Sequence, residues 1–175
     1  MLKQIKCIIK GETPLLMHRF PLEKIEALEN KSIEEQAEIA AYRDAETQEL
    51  YVPGIAFQRA LIAGAVFSKG KGRSSLQKSA AACLMIKPER ISLGTKKYEI
   101  DIRPVVVPAT RGRINRARPR LDEWKLNLEI EYDDVLLTES QVRKIVDDTG
   151  KRVGILDFRP EKKGYFGRFI VVHWE

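Results

Sequence analysis

The C-terminal stretch Val153–Glu175, VGILDFRPEKKGYFGRFIVVHWE, decides how the chain is expected to fold and suggests a first binding site. Its apolar start predicts a short strand that ends at Gly154, and Phe169–Trp174 predicts a final strand. The loop between them is basic, with Arg159, Lys162 and Lys163. Glycines beside such a loop allow backbone N–H groups to approach a phosphate closely. The alternative is a hairpin whose glycines serve only the turn and whose charges are solvated.

The composition is typical of a globular protein with a polyanionic partner. The 175 residues suit one domain, 1–175, that is large enough to bury a core. No apolar run approaches the ~20 residues that a membrane span needs, so no membrane partner is expected. The net charge of +6 is uneven, because Glu is concentrated in residues 22–49 and the basic residues lie in three later stretches. Cys7 and Cys83 have neither zinc nor disulfide spacing, which favours reduced thiols and a cytoplasmic protein.

Hydrophobic periodicity predicts an alternation of strands and helices. Strands are predicted at Leu2–Lys10, Glu49–Val52, Arg90–Leu93, Tyr98–Val107, Trp124–Tyr132 and Phe169–Trp174. Helices are predicted at Ile55–Phe67 and Leu76–Met85, and after capping boxes at Ser32–Glu35 and Thr138–Gln141, the last ending at Gly150.

The main elements follow the order βαββαβ, with strands at Leu2, Tyr98, Trp124 and Phe169 and helices at Ile55 and Thr138. This order predicts an α+β fold of the ferredoxin-like, RRM-like type, with two helices on one face of a four-stranded antiparallel sheet. The other face would be free to bind, as it is in RNA-binding RRM domains. A helical insertion would occupy residues 11–52, and an Arg-rich β-hairpin arm would occupy residues 108–123.

Three segments resemble the RAMP superfamily, the RRM-like proteins that build the CRISPR effector backbone and include guide-RNA processing endonucleases. Thr13–Leu16 resembles the family's turn after the first strand, and Tyr51–Leu61 resembles its Pro-Gly helix start. Val153–Gly154, Arg159 and Gly164–Arg168 resemble its C-terminal glycine-rich loop. The resemblance covers most of the chain.

The chain departs from the family pattern in two places. Ala56 and Gln58 replace the usual residues of the helix start, and Tyr165-Phe166 lengthens the Gly-x-Gly spacing by one residue. The resemblance therefore implies a divergent or solitary RAMP member, such as occurs in viruses and mobile elements.

The arm is the strongest functional feature of the sequence. Its arginines are Arg111, Arg113, Arg116, Arg118 and Arg120. Interrupted arginines suit an extended segment along a phosphate backbone, because Arg binds phosphate in a bidentate manner and stacks on bases. The alternative is a solvated hairpin tip. In the RAMP backbone subunits that the chain resembles, a β-hairpin at this position folds over the nucleic acid.

Other residues are expected to contact nucleic acid more weakly. Lys69, Lys71 and Arg73 lie in a Gly/Ser-rich loop, which is as often only solvated. Gln58 and Arg59 lie near a helix N-terminus that favours anions, and Tyr165 and Phe166 suit either base stacking or core packing. Arg19 and Arg168 flank the predicted loops and complete the set of expected contacts.

His18 is the one candidate for acid–base chemistry. Its loop follows the first strand, and the resemblance places it where processing endonucleases carry a general acid or base. A second catalytic partner is not evident in the sequence, and a lone His is usually structural or exposed. The spacing of the acidic residues does not differ from that of helix-end and turn charges, so no metal or cofactor is expected.

The preferred hypothesis is non-enzymatic binding of single-stranded nucleic acid, RNA or DNA, through its phosphates. The resemblance implies protomers side by side along the strand, as a homo-oligomer or with other RAMP-type subunits. A second hypothesis is a metal-independent endoribonuclease that uses His18. A third is an interaction module that joins or inhibits a CRISPR effector complex.

Overall fold

The computed structural model describes residues 1–21 and 30–175. Over these residues the strands are β1 (Leu2–Gly11), β2 (Leu15–Leu16), β3 (Tyr51–Pro53), β4 (Met85–Lys87), β5 (Arg90–Ser92), β6 (Glu99–Val106), β7 (Arg113–Leu121), β8 (Lys125–Asp133) and β9 (Phe169–Trp174). The α-helices are α1 (Ile33–Ala40), α2 (Gly54–Gly64), α3 (Gln77–Cys83) and α4 (Glu139–Asp148). The chain is a mixed α+β protein with antiparallel sheets.

Both predicted capping boxes are confirmed. The backbone N–H of Glu35 donates to Ser32 Oγ while the backbone N–H of Ser32 donates to the Glu35 carboxylate, and Thr138 and Gln141 form the same reciprocal pair. Because each box satisfies two N–H groups that the helix leaves unpaired, it fixes where α1 and α4 begin.

The main sheet has the strand order β4-β8-β1-β9. β1 pairs with β8 from Leu2↔Asp133 to Lys10↔Lys125, and β9 pairs with the other side of β1. Ile5, Cys7 and Ile9 alternate onto one buried face, where α2 and α4 cover them. The rings of Phe57 in α2 and Phe169 in β9, whose centroids are 5.5 Å apart, join this helix layer to the sheet.

The strand that pairs with β8 at the sheet edge is β4, so the placement of Tyr98–Val107 in the main sheet was wrong. β6 pairs instead with β7, from Glu99↔Arg120 to Val106↔Arg113. Two strands joined by a short turn pair at little cost in loop-closure entropy, which favours this local hairpin. The hairpin forms a second sheet of order β2-β7-β6, so the predicted Arg-rich hairpin is confirmed but is longer than residues 108–123.

The end of α4 also differs from the prediction. Residues Thr149–Val153 form a π-helical turn that extends α4, so the expected strand before Gly154 and the helix end at Gly150 were wrong. The chain leaves this turn at Gly154, which has a left-handed φ of 70° that favours glycine. Gly150 packs so closely on β9 that a Cβ would overlap the Phe169 carbonyl oxygen.

The predicted insertion at 11–52 includes residues 22–29, which lie outside the described residues. Its described part holds β2 and α1 and runs into β3, so strands as well as a helix occupy it. None of the described helices is both long and apolar enough to span a membrane.

Candidate nucleic-acid interface

The glycine-rich loop is folded tightly onto the protein. The backbone N–H groups of Gly164, Phe166 and Gly167 donate to the carbonyl oxygens of Arg159 (3.1 Å), Phe158 (3.0 Å) and Pro14 (2.9 Å), respectively. An N–H group that already donates within the protein is not available to a ligand. The expectation that these groups receive a phosphate therefore does not hold in this structure.

The glycines serve close packing of the loop instead. A Cβ at Gly164 would overlap the carbonyl oxygen of Phe158, and a Cβ at Gly167 would overlap that of Ile155. Gly167 also has a left-handed φ of 74°. In this structure the glycines therefore serve the turn, which is the structural alternative to phosphate binding. They allow two segments of the loop to come into direct backbone contact.

A cleft of about 690 Å³ opens beside this loop, between the N-terminal end of α2 and residues 155–161. It brings together three side chains that the sequence singled out, His18, Arg59 and Arg159. Arg159 is partly engaged, because it donates to Glu161 and to the Leu156 carbonyl, each at 2.8 Å. Arg59 is exposed and forms no ion pair with any residue that the structure describes.

His18 has an acidic neighbour that the sequence did not reveal. Its Nδ1 lies 3.9 Å from Oδ2 of Asp157, and the same oxygen lies 2.6 Å from Nη1 of Arg118. Arg118 is buried, with 5% of its surface exposed, and its guanidinium lies 5.0 Å from the ring centroid of Phe158. His18, Asp157 and Arg118 are called the charged triad below.

The surroundings of His18 disfavour its protonation. Burial lowers the pKa of His18 from its ordinary value of 6.5, and the charges of Arg118 and Arg116 lower the pKa further. Asp157 acts in the opposite direction but does not reverse the shift. The imidazole is therefore neutral at pH 7 and can accept a proton or a hydrogen bond.

The backbone around Asp157 is strained on both sides. Leu156 has a φ of 60° and Phe158 has a φ of 45°, both in the left-handed region that non-glycine residues avoid. Each such residue costs about 1–3 kcal/mol, and strain of this kind is concentrated at functional sites. The backbone N–H of Asp157 donates to the Leu16 carbonyl (3.1 Å), which fixes the strained segment on β2.

The five arginines of the predicted arm fall into two groups. Arg111 and Arg113 are exposed and Arg116 is half-buried, and none of them forms an ion pair with a described residue. Arg118 is buried in the charged triad, and Arg120 pairs with Asp101 (3.3 Å) and Asp122 (2.6 Å). Arg118 and Arg120 are thus held by carboxylates of the protein itself, whereas Arg111, Arg113 and Arg116 have no ionic partner among the described residues.

The two adjacent aromatic residues of the glycine-rich loop have different positions. Phe166 is buried (2% exposed) beneath Arg103 and Arg120, whose guanidinium groups lie 4.8 and 5.7 Å from its ring centroid. Tyr165 stacks on Phe166 with 4.4 Å between centroids and is 50% exposed. Tyr165 can therefore receive a base, whereas Phe166 belongs to the packing under the hairpin.

The other predicted contacts are dispersed. Lys69, Lys71 and Arg73 are exposed but lie beyond the C-terminal end of α2, roughly 16 Å of helix from the cleft. Gln58 is half-buried on α2, and Lys162 and Lys163 are exposed beside the cleft. Arg168 is half-buried, and its Nε finds no hydrogen-bond partner among the described groups.

The open face of the main sheet does not resemble an RNA-binding platform. Its charges are mixed, since Glu131 receives hydrogen bonds from Lys87 (2.8 Å) and Gln4 (2.7 Å). The aromatic side chains Tyr132 and Phe169 are both buried in the core. The described sheet therefore does not offer these aromatic rings for base stacking as an RRM does, and the unpaired arginines lie at the cleft and the hairpin.

Sequence reasoning missed Asp157 and Arg103. Asp157 follows an apolar run in the C-terminal loop, where it is one of two acids, with Glu161, among basic residues. Arg103 alternates with Ile102 in β6, and its importance depends on the strand pairing that places it opposite Arg116. Among the described residues, no group of three or more His, Cys, Asp or Glu side chains is placed to hold a metal ion.

Comparison with known proteins gives a likeness of fold. No sequence-family profile and no curated protein matches this chain. Among the solved structures that match is a chain in the cryo-EM structure of the Type III-B Cmr-beta bound to cognate target RNA. The similarity covers 99% of the present chain with a TM-score of 0.56 and 10% sequence identity. The match spans 60% of the length of that Cmr-beta chain, and at this identity it concerns the fold alone.

Proposed function

We propose that this protein is a RAMP-type subunit that binds single-stranded RNA through its phosphates. The observation that carries the proposal is a run of cations without acidic partners among the described residues, here called the basic track: Arg59, Arg19, Arg116, Arg113 and Arg111. His18 lines both the cleft that holds Arg59 and the neighbouring pocket that holds Arg19 and Arg116. The track therefore continues from α2 across His18 to Arg116 in β7. Arg113 and Arg111 follow toward the turn of the hairpin, with Arg113 on the opposite face of β7 from Arg116.

The charge pattern of the basic track suits a phosphate backbone. Unpaired cations that lie near one another repel, and a polyanion removes that repulsion while releasing its own counterions. The choice of RNA is supported by the Type III-B Cmr-beta complex, which is bound to target RNA and contains a chain of similar fold. The exposed ring of Tyr165 adds a place for a base to stack.

The strand order supports a ferredoxin-like unit as the core of this subunit. In chain order, β1, α2, β4, β8, α4 and β9 follow the βαββαβ pattern, and β4-β8-β1-β9 is one antiparallel sheet with both helices on one face. The β6–β7 hairpin is then an addition between the second and third strands of that pattern.

We propose that protomers, or related subunits, lie side by side along the strand. The supporting observation is β6, an edge strand of its sheet whose outer side chains Ile100, Ile102 and Val106 are exposed. An apolar edge strand is an open surface for pairing with another chain. Sedimentation with and without RNA tests this: Ile102→Lys should reduce the assembled species, and equal assembly by this variant would contradict the proposal.

The experiment that tests RNA binding at the track is ultraviolet crosslinking of the protein to single-stranded RNA, followed by peptide mapping. We expect crosslinked peptides from residues 18–20, 55–59 and 111–116 and from the loop around Tyr165. Crosslinks confined to the open sheet face around Asn127 would contradict this placement.

A second function, metal-independent cleavage of RNA, is favoured by the position of Asp157 beside His18. A neutral His18 would accept the proton of a ribose 2′-hydroxyl, and the 2′-oxygen would attack the adjacent phosphorus. The products are a 2′,3′-cyclic phosphate and a 5′-hydroxyl, whose leaving oxygen takes a proton from water or from the imidazolium. Arg116 and Arg118 would offset the charge that develops on the phosphate.

Cleavage is separated from binding by incubating labelled RNA with the protein in EDTA. If the protein cleaves RNA, cyclic-phosphate products should form with the wild-type protein. They should be absent with the His18→Ala variant and reduced with Asp157→Asn, while Lys151→Gln retains the activity. RNA that remains intact when the protein is saturated with it would contradict the cleavage hypothesis and support binding without catalysis.

A further inference from the structure

A small basic pocket lies next to the cleft, between β7, α1 and residues 18–21. Its volume is about 40 Å³. The basic side chains that line it are His18, Arg19, Arg116 and Arg118. Space of this size holds a water molecule or one small anionic group, and it is too small for a sugar or a base.

Arg118 holds buried donors that make no aligned hydrogen bond with the described part of the protein. Only 5% of its surface is exposed, and neither Nε nor Nη1 makes a hydrogen bond with a described group. The 2.6 Å contact with Asp157 offsets its charge without hydrogen-bond alignment. A buried donor left unsatisfied is costly, so a site with such donors favours an acceptor ligand.

The charges around the pocket are not balanced. Arg116 stands opposite Arg103 in the β6–β7 ladder, and Arg103 is already held by Asp101 at 2.6 Å. Directly opposed like charges destabilise a strand pair unless an anion lies near them. Among the described residues, the guanidinium groups of Arg19, Arg116 and Arg118 face the Asp157 carboxylate, which leaves a surplus of two positive charges.

We propose that this pocket binds one phosphomonoester group, the terminal phosphate of a nucleic-acid strand, with the attached nucleoside in the adjoining cleft. A phosphomonoester carries roughly −1.5 to −2 at pH 7, which matches the surplus, whereas a backbone diester carries a single charge. A diester also needs room for a nucleoside on both sides, and the pocket adjoins one cleft of nucleoside size through His18. The identity of the strand rests on the proposed function, but the phosphate site does not.

The phosphate site is tested directly by NMR, because the chain has 2 histidines. Titration of inorganic phosphate into the protein should shift the imidazole signals of His18, while His173, exposed in β9, serves as an internal control. Arg116→Gln should weaken this response at least tenfold, and Lys151→Gln, exposed on the turn after α4, should leave it unchanged. A His18 signal that does not respond to phosphate would overturn the proposal.

The strand-end preference is tested with short RNAs that differ only in a 5′-phosphate, a 3′-phosphate or hydroxyl ends. We expect one phosphorylated end to bind about tenfold more tightly than hydroxyl ends, with the difference lost in Arg116→Gln and kept in Arg113→Gln. Equal binding of all ends would overturn the terminal-phosphate assignment, even if the RNA binds through the hairpin. A phosphate response of His18 with no RNA bound would instead uphold the pocket and refute the proposed function.

Discussion

The Arg118 guanidinium lies 2.6 Å from the Asp157 carboxylate, and this contact joins the hairpin to the C-terminal loop. Arg118 belongs to β7 and is buried, whereas Asp157 lies in the strained turn beside the cleft. Removal of one partner from a buried pair leaves an uncompensated charge, which is costlier than the net contribution of the pair. The contact thus couples the position of β7 in the hairpin to the position of the loop that lines the cleft.

We expect Asp157→Ala to lower the free energy of unfolding by about 3 kcal/mol, because it leaves Arg118 buried without a counter-charge. Arg118→Met paired with Asp157→Ala should recover part of this loss, since the double variant has no buried charge. Denaturant unfolding of the two single variants and the double variant measures the coupling. Glu161→Gln, exposed on the same loop, is the control. Fully additive losses would contradict the coupling of the pair.

The lowered pKa of His18 predicts a pH-dependent stability. Burial is the largest cause of the shift, so the folded state favours the neutral imidazole and the unfolded state binds the proton more readily. The stabilisation is complete above the unfolded pKa of 6.5 and is lost as the pH falls toward the lower folded pKa. Between pH 7.5 and 5.5, His18→Gln should therefore lose less stability than the wild-type protein. A parallel decline of the two proteins would show that His18 does not contribute.

The tight turn at Gly164 predicts a large effect of a single methyl group. In Gly164→Ala, the new Cβ would overlap the Phe158 carbonyl oxygen, and the loop must shift at a cost of roughly 1–3 kcal/mol. Gly112→Ala is the matched control, because its nearest heavy atom is Thr110 Oγ1 at 3.3 Å. Thermal unfolding that shows equal stability for the two variants would contradict the packing role of Gly164.

The helices and the central strands could be predicted from local signals. Alternation in β1 and β8 and the capping boxes of α1 and α4 depend on neighbouring residues, which the sequence displays directly. The placement of β6 could not be predicted in this way, because Met85 falls in the predicted helix Leu76–Met85 and the strand Met85–Lys87 was not recognised. That strand pairs with β8 over a long distance in sequence, and only the structure shows this pairing and that of β6 with β7.

The sequence showed which arginines could belong to the candidate site, but it did not show which of them are neutralised by a carboxylate of the protein. Arg118 and Arg113 look alike in sequence, yet one is buried against Asp157 and the other is exposed. The distinction depends on strand register, since the β7 side chains beneath the glycine-rich loop are buried and those near the turn are not. His18 and Asp157 are distant in the chain, and the backbone hydrogen bond of Asp157 to Leu16 together with its contact to Arg118 holds them near each other.

Substitutions of the two neighbouring aromatic residues, Phe166 and Tyr165, should affect stability and RNA binding differently. Phe166→Ala removes a buried ring and should cost about 3–5 kcal/mol of stability. Tyr165→Ala should change stability by less than about 1 kcal/mol but weaken RNA binding by about 1–3 kcal/mol through lost stacking. Calorimetric unfolding and binding titrations of the two variants measure both quantities. If the Tyr165→Ala variant binds RNA as tightly as the wild-type protein, Tyr165 does not stack on a base.

The basic track predicts a strong dependence of RNA affinity on salt. Each phosphate contact to a single strand contributes a slope of about −0.7 in a plot of log K against log salt concentration. Arg113→Gln and Arg116→Gln should each make the slope shallower by about that amount. Lys151→Gln, exposed on the turn after α4, should leave the slope unchanged. Identical slopes for all three variants would show that the phosphates do not bind at Arg113 and Arg116.

The most direct test of the central claim is a fluorescence-polarisation titration against matched single-stranded RNA, single-stranded DNA and duplex DNA at two salt concentrations. The same probes are then examined on denaturing gels. Our account predicts salt-sensitive binding that is tightest for single-stranded RNA and is weakened at least tenfold when Arg113 and Arg116 are both replaced by Gln. Absence of binding to all three probes, or an affinity that neither salt nor these substitutions change, would contradict it.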